Sequence, residues 1–235
     1  MTHLYLIRHG EAEANIKPIV AGMKGDTGLT LRGRLQAERL RDRLARTHEI
    51  AADVLIASTL PRARQTAEII QPALGLPIIF DDEVQELYVG EADGMMNAEA
   101  WATYGTPDFE AAPLRPIAPG GESWGGFSLR VATALTRITN QHAGKTIVIV
   151  CHGGVIDNSF IHFLQMPSMV LPPTDFHTRN TSITHWEYVH RRNRLLWRLN
   201  SYNDIEHLHD IGAFESVRWE DTDSSHIAAP VPIEE

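Results

Sequence analysis

Two of the most apolar stretches of the chain, Leu4-Tyr5-Leu6-Ile7 and Ile147-Val148-Ile149-Val150-Cys151, run almost directly into a histidine and a glycine: LYLIRHG and TIVIVCHGG. Short unbroken apolar runs are what a strand covered on both faces requires, and such strands belong to parallel sheets sandwiched between helices. Ending them in charge or imidazole needs a reason. In open α/β sheets ligands gather beyond the carboxyl ends of the strands, so the pattern makes His9 and His152 neighbours there. The glycine after each allows close backbone approach and presents N–H groups to an anion.

The intervening segments keep the same alternation. GLTLRGRLQAERLRDRLA has Thr30 as a cap and Leu31, Leu35, Leu40 and Leu44 near helical spacing. DVLIAS reads as a strand, LPRARQTAEIIQPAL as a helix with Pro61 in its first turn, and LPIIF as another buried strand. Phe127, Val131, Leu135 and Ile138 mark a long helix between Glu122 and His142; KTIVIVC is a strand, GGVIDNSFIHFLQ a helix, and TSITHWEYV with RLLWRLNSY a closing antiparallel hairpin. The expected fold is α/β: a three-layer αβα sandwich with a mostly parallel sheet and helices on both faces. One domain is expected over residues 1–218, with an excursion or lid at 95–119 and a flexible acidic tail at 219–235.

Composition excludes several function classes. With 235 residues, 43% of them hydrophobic, the chain can build one sizeable core. No run approaches the roughly 18 apolar residues of a membrane helix, and the start lacks a basic stretch leading into an apolar one. A cytoplasmic protein with no membrane partner is expected. The single cysteine, Cys151, has no internal disulfide partner and reads as a small buried hydrophobe. A formal charge of −9 argues against a nucleic-acid surface while leaving room for a small basic pocket. Homo-oligomer formation is left open.

Taken singly, the polar residues have bland readings. Arg62 at a helix start could pair with a surface carboxylate. Glu86 follows Asp81, Asp82 and Glu83 in an acidic run that would ordinarily be a solvated face, and Asn15 could cap a turn. Glu13, Arg64 and Glu91 read as surface residues. His207 and His209 in EHLHD lack companion ligands at metal-binding spacing, so no metal site is expected.

Order and spacing together say more. Arg8-His9-Gly10 with Glu11 and Asn15, STLPRARQTA with Arg62, ELYVGEADG with Glu86, Gly90 and Gly94, PGGES at 119–123, and CHGG around His152 follow one another along the chain. In these five motifs the chain resembles the histidine phosphatase superfamily, with its phosphoglycerate-mutase-like fold. The resemblance implies that His9 is a nucleophile forming a phosphohistidine, and that Arg8, Arg62 and His152 hold the phosphoryl oxygens. It makes Glu86 the acid–base group. Asn15, Gly22 and Gly153 are the further substrate-contacting candidates, and neither a metal nor another cofactor is implied.

The expected function is hydrolysis of small phosphorylated metabolites. The span from Glu86 to His152 is too short for the long insertion of cofactor-dependent phosphoglycerate mutases, so a mutase-type phosphotransferase is the alternative. A non-catalytic phospho-ligand binding module comes last, because neither nucleophile nor arginine is lost. Two departures from the family pattern stand out: Ala92 and Asp93 replace the frequent Trp and Glu, and the loop GMKGDTGL is one residue longer than usual.

Overall fold

Among the described residues six strands form one sheet in the order β3-β2-β4-β1-β5-β6. They are β1 (Thr2–Arg8), β2 (Val54–Ala57), β3 (Ile78–Phe80), β4 (Thr146–Cys151), β5 (Ile183–Arg191) and β6 (Arg194–Asp204). The computed structural model describes residues 1–211 apart from 170, 173 and 175; the expected tail at 219–235 lies outside the described residues. The first four strands of the sequence run parallel, and the hairpin β5–β6 adds antiparallel pairs at the β1 side. Its turn places Arg192 and Asn193 at φ 49° and 63°, the positive values a tight hairpin turn needs to match strand twist.

The α-helices among the described residues are α1 (Glu13–Ile16), α2 (Leu31–Thr47), α3 (Pro61–Leu74), α4 (Asn97–Tyr104), α5 (Trp124–Gln141) and α6 (Gly153–Phe163), of which α2, α3, α5 and α6 pack on the sheet. Thr30 caps α2 by accepting the Gly33 N–H, Ser123 caps α5 by accepting that of Gly126, and Pro61 opens α3 where its missing N–H costs nothing. Side-chain alternation divides the core between the two faces. Leu4, Leu6, Ile147 and Ile149 pack with Phe127, Val131 and Leu135 of α5 and Val155 and Ile156 of α6. Ile7, Val148 and Val150 pack with Leu40 and Leu44 of α2 and Ala63, Ala67 and Ile70 of α3. Cys151 is fully buried, and burial raises its thiol pKa, keeping it neutral.

One strand departs from expectation. LPIIF is not buried: β3 is a three-residue edge strand with Ile79 49% and Phe80 39% exposed. Strand order decides this, because an edge position leaves one side without a neighbour, and Arg64 covers the Phe80 ring instead. Residues 95–119, expected as an excursion or lid, contain α4, and their Ala100, Ile117 and Ala118 share a small apolar centre with Val20 and Ala92. A bridge between Ile19 and Met96 ties the segment to the loop after α1.

Candidate active site

The register of the central pair brings the two histidines together. Arg8 pairs with Cys151 at the ends of β1 and β4, and the His9 N–H donates to the Cys151 carbonyl at 3.0 Å. The His9 and His152 ring centres are 5.2 Å apart, with His9 3% exposed and His152 fully buried. The segment before β5 locks this corner: the Thr181 N–H donates to the Arg8 carbonyl and Asn180 Nδ2 to the His9 carbonyl, both at 3.0 Å.

The His9 tautomer follows from its neighbours. Nδ1 faces the Gly10 carbonyl at 2.7 Å, which accepts only, so Nδ1 carries the proton and Nε2 the lone pair. Burial, and then the positive charges of Arg62 and Arg8, hold the His9 pKa well below its ordinary value. A neutral imidazole with an unprotonated Nε2 is a nucleophile ready for use. His152 is lowered by burial first and then by Arg62, and it is neutral for the same reason. Its Nε2 meets Ser58 Oγ at 2.7 Å, and Ser58 Oγ already accepts the Leu60 N–H. That leaves the Ser58 hydroxyl its proton and a second lone pair, so it serves Nε2 in either tautomer, and His152 Nδ1 is buried without a hydrogen-bond partner among the described residues.

Arg62 lies in the first turn of α3, 5% exposed, with Nε donating to His9 Nε2 at 3.1 Å. Its Nη1 pairs with Asp26 Oδ2 at 2.8 Å, and its backbone N–H reaches the same oxygen at 3.1 Å. The Asp26 side chain is completely buried. No motif marked Asp26 in advance; the signal was a lone acid in the lengthened loop GMKGDTGL. That loop and the other departure, Asp93, prove to be one device. The Asp93 carboxylate accepts the N–H groups of Gly22, Lys24 and Gly25 at 2.8–2.9 Å, folding the loop onto the acid motif. Arg8 donates Nη1 to the Thr178 carbonyl and lines the cavity.

Glu86 turns inward from the acidic run, whereas Asp81 pairs with Arg137 and Glu83 is exposed. Its Oε1 accepts the Leu87 N–H and its Oε2 the Gly154 N–H, each at 3.1 Å. A side chain at Gly154 would collide with this carboxylate and with Phe127, so only glycine lets α6 approach so closely. Arg130 of α5 clamps the loop from behind. It donates to the carbonyls of Glu83, Gln85 and Glu86 and forms a bidentate pair with Glu122 of PGGES, both contacts 2.7 Å.

These groups meet at a cavity of about 250 Å³. Arg8, His9, Asn15, Arg62, Glu86 and Gly153 line its inner part. Ile19, Val20, Val89, Asn97, Trp101 and Ile117 form most of its remaining wall. Asn15 also accepts the Ala12 N–H, so it caps α1 as well as facing the cavity. Gly22 differs from expectation: it is outside the lining, with its N–H committed to Asp93. His207 points elsewhere, to the Thr181 hydroxyl at 3.0 Å, and burial pushes its pKa down to about 4. A larger recess of about 450 Å³ beside Arg43 holds no nucleophile placed like His9.

One neutral imidazole whose Nε2 lone pair faces Arg62, two guanidinium groups and a carboxylate line a single cavity, and the His152 ring lies behind His9, outside the lining; such a set can carry out phosphoryl transfer through nitrogen. Residues 4–204 match the family model of the histidine phosphatase superfamily, branch 1, and the chain belongs to that superfamily. It is 30% identical over 210 residues to the uncharacterized phosphatase PhoE of Bacillus subtilis (strain 168), covering 88% of this chain and 97% of that protein. It is likewise 30% identical over 220 residues to the probable phosphoglycerate mutase GpmB of Salmonella paratyphi C, covering 88% and 95%. Among solved structures it is similar to the phosphoserine phosphatase of Entamoeba histolytica in complex with 3-phosphoglyceric acid. There the TM-score is 0.69 at 28% identity, covering 88% of this chain and 100% of that one.

Proposed function

We propose that the chain hydrolyses small phosphomonoesters through a phosphohistidine on His9 Nε2, with no metal or other cofactor. The observation that carries this reading is the His9 environment: Nδ1–H held by the Gly10 carbonyl, and Nε2 facing Arg62. A phosphoryl oxygen is a far better acceptor for guanidinium than an imidazole nitrogen, so an arriving phosphate draws Arg62 away and releases the lone pair. Nε2 then attacks phosphorus in line while the bond to the alcohol oxygen breaks. Arg8, Arg62 and His152 stabilise the equatorial oxygens. Glu86 gives its proton to the departing alkoxide and takes one back from the water that cleaves the N–P bond, restoring His9 and leaving inorganic phosphate.

The PhoE and phosphoserine phosphatase relatives support hydrolysis, and the GpmB relative keeps transfer to a second hydroxyl as the alternative. The excursion weighs for hydrolysis. Its one basic residue, Arg115, is bound to the Tyr104 carbonyl, so it offers no spare cation to retain a second anionic group. Rapid quench with labelled substrate should trap acid-labile, base-stable phosphate on the wild type and none on His9→Ala. Label on a serine or an aspartate would overturn the mechanism.

A further inference from the structure

Asn97 is the one polar side chain on the apolar side of the cavity. It is 7% exposed, and its Nδ2 has no hydrogen-bond partner among the described residues. Its backbone N–H is fixed by the Pro18 carbonyl at 2.8 Å, which anchors the start of α4 against the loop before it. Trp101, four residues on, shares the same helical face and the same cavity wall. A buried amide with an idle donor costs stability, on the order of the desolvation of one polar group, and a fold without use for it would hold an aliphatic residue there.

The surroundings say what that donor meets. Val20 and Ile117 belong to the small apolar centre of the excursion, against which Val89 and Trp101 pack; Ile19 completes the wall. Arg8 and Arg62 are the only arginine or lysine side chains among the described lining residues; Arg62 touches His9, and Arg8 is the residue that precedes it. A carboxylate or second phosphate on the leaving alcohol would enter this wall without a counter-charge.

We propose that Asn97 is a specificity-determining residue whose amide donates to an uncharged acceptor oxygen on the leaving group. The preferred substrate class is then the monophosphate of an uncharged, largely apolar alcohol that carries an ether, carbonyl or hydroxyl oxygen within reach of α4. This rests on the phosphatase reading above and adds to it which esters the site selects.

The test uses esters of matched length and similar leaving-group basicity: hexyl phosphate, its ether isosteres 3-ethoxypropyl and 4-methoxybutyl phosphate, and the monophosphate of 6-hydroxyhexanoate. p-Nitrophenyl phosphate is assayed alongside. One hydrogen bond of ordinary strength corresponds to about tenfold. The wild type should therefore favour at least one ether isostere over hexyl phosphate by about tenfold in kcat/KM, and hexyl phosphate over the carboxylate ester by at least as much. In Asn97→Leu the ether preference should fall to about one, while the melting temperature stays or rises because a buried idle donor is gone. An ether preference equal in both proteins, or none in the wild type, overturns the role of Asn97. So does a melting temperature that drops in Asn97→Leu with all esters slowed alike. Parity of the carboxylate ester with hexyl phosphate overturns the substrate class. Absence of phosphate release from every ester, p-nitrophenyl phosphate included, would instead overturn the phosphatase reading itself.

Discussion

Replacing Asp26 by alanine isolates the contact that aims Arg62. In the structure one buried oxygen, Asp26 Oδ2, takes both the Arg62 Nη1 at 2.8 Å and the Arg62 backbone N–H at 3.1 Å. The arginine side chain is 6% exposed and the aspartate 0%, so water cannot replace what is lost. Removing one member of a buried pair leaves the other charge uncompensated, at a cost of about 3–5 kcal/mol. For a domain of this size each kcal/mol shifts the melting temperature by about 2–4 °C, so Asp26→Ala should melt about 6–20 °C lower. Activity should fall too, because a misdirected Arg62 removes a donor from the transition state; one such donor is worth about 10²–10³ in kcat. Asp26→Asn keeps an oxygen for one of the two N–H groups and should fall between wild type and alanine on both scales. Circular-dichroism melts and steady-state hydrolysis of p-nitrophenyl phosphate measure the two effects. An alanine variant melting within about 2 °C of wild type, with kcat within about threefold, would refute the claim that Asp26 holds Arg62.

Three further outcomes follow from the site. Glu86→Gln should slow alkyl phosphates far more than p-nitrophenyl phosphate, whose phenolate leaves without a proton; equal losses would assign Glu86 to binding or structure. The lowered pKa values of His9 and His152 give a definite pH dependence. Between their folded values and about 6.5 the unfolded chain binds protons that the folded chain refuses, so stability falls as pH drops below about 6.5. His185 and His207, each held at about 4, act in the same direction. Melts from pH 7 to pH 5 should show this decline, with a shallower slope in His9→Gln; a flat profile would contradict the neutral buried imidazoles. Incubation with 3-phosphoglycerate, with and without 2,3-bisphosphoglycerate, should release phosphate without stimulation by the bisphosphate. Rapid formation of 2-phosphoglycerate with little phosphate release would install the mutase reading instead.

Much of the site could be read in advance because its parts sit at points where local rules are strong. An apolar run that ends in Arg8-His9-Gly10 announces a strand end, Pro61 a helix start, and Thr30 a cap; each follows from nearest neighbours in the chain. The burial of LPIIF could not be read that way, since its exposure depends on β3 being at the edge, a property of strand order. Asp26 and Ser58 were equally hidden. Both act through another residue, and neither the 36 positions between Asp26 and Arg62 nor the 94 between Ser58 and His152 leave a periodic trace. Gly22 shows the reverse error: its place in a loop beside the phosphate position suggested contact, but the Asp93 carboxylate had already claimed its N–H. Asn97 was overlooked because the excursion carries no familiar motif, although it supplies half of one cavity wall.

The central position of β1 has a consequence for how the enzyme comes into being. The strand that leads to His9 is synthesised before both of its partners: His3 pairs with Thr146 on one side and Glu187 on the other. Asn180 reaches back across 171 positions to hold the His9 carbonyl. Contacts that distant close slowly, because chain entropy must be surrendered before any of them is rewarded. Until then Leu4, Leu6 and Ile7 form an uncovered apolar segment with two open edges, a template for pairing with the wrong chain. A nascent chain therefore holds His9 long before it holds the site around it, and the segment just before the antiparallel hairpin, among the last parts synthesised, is what completes the corner around His9.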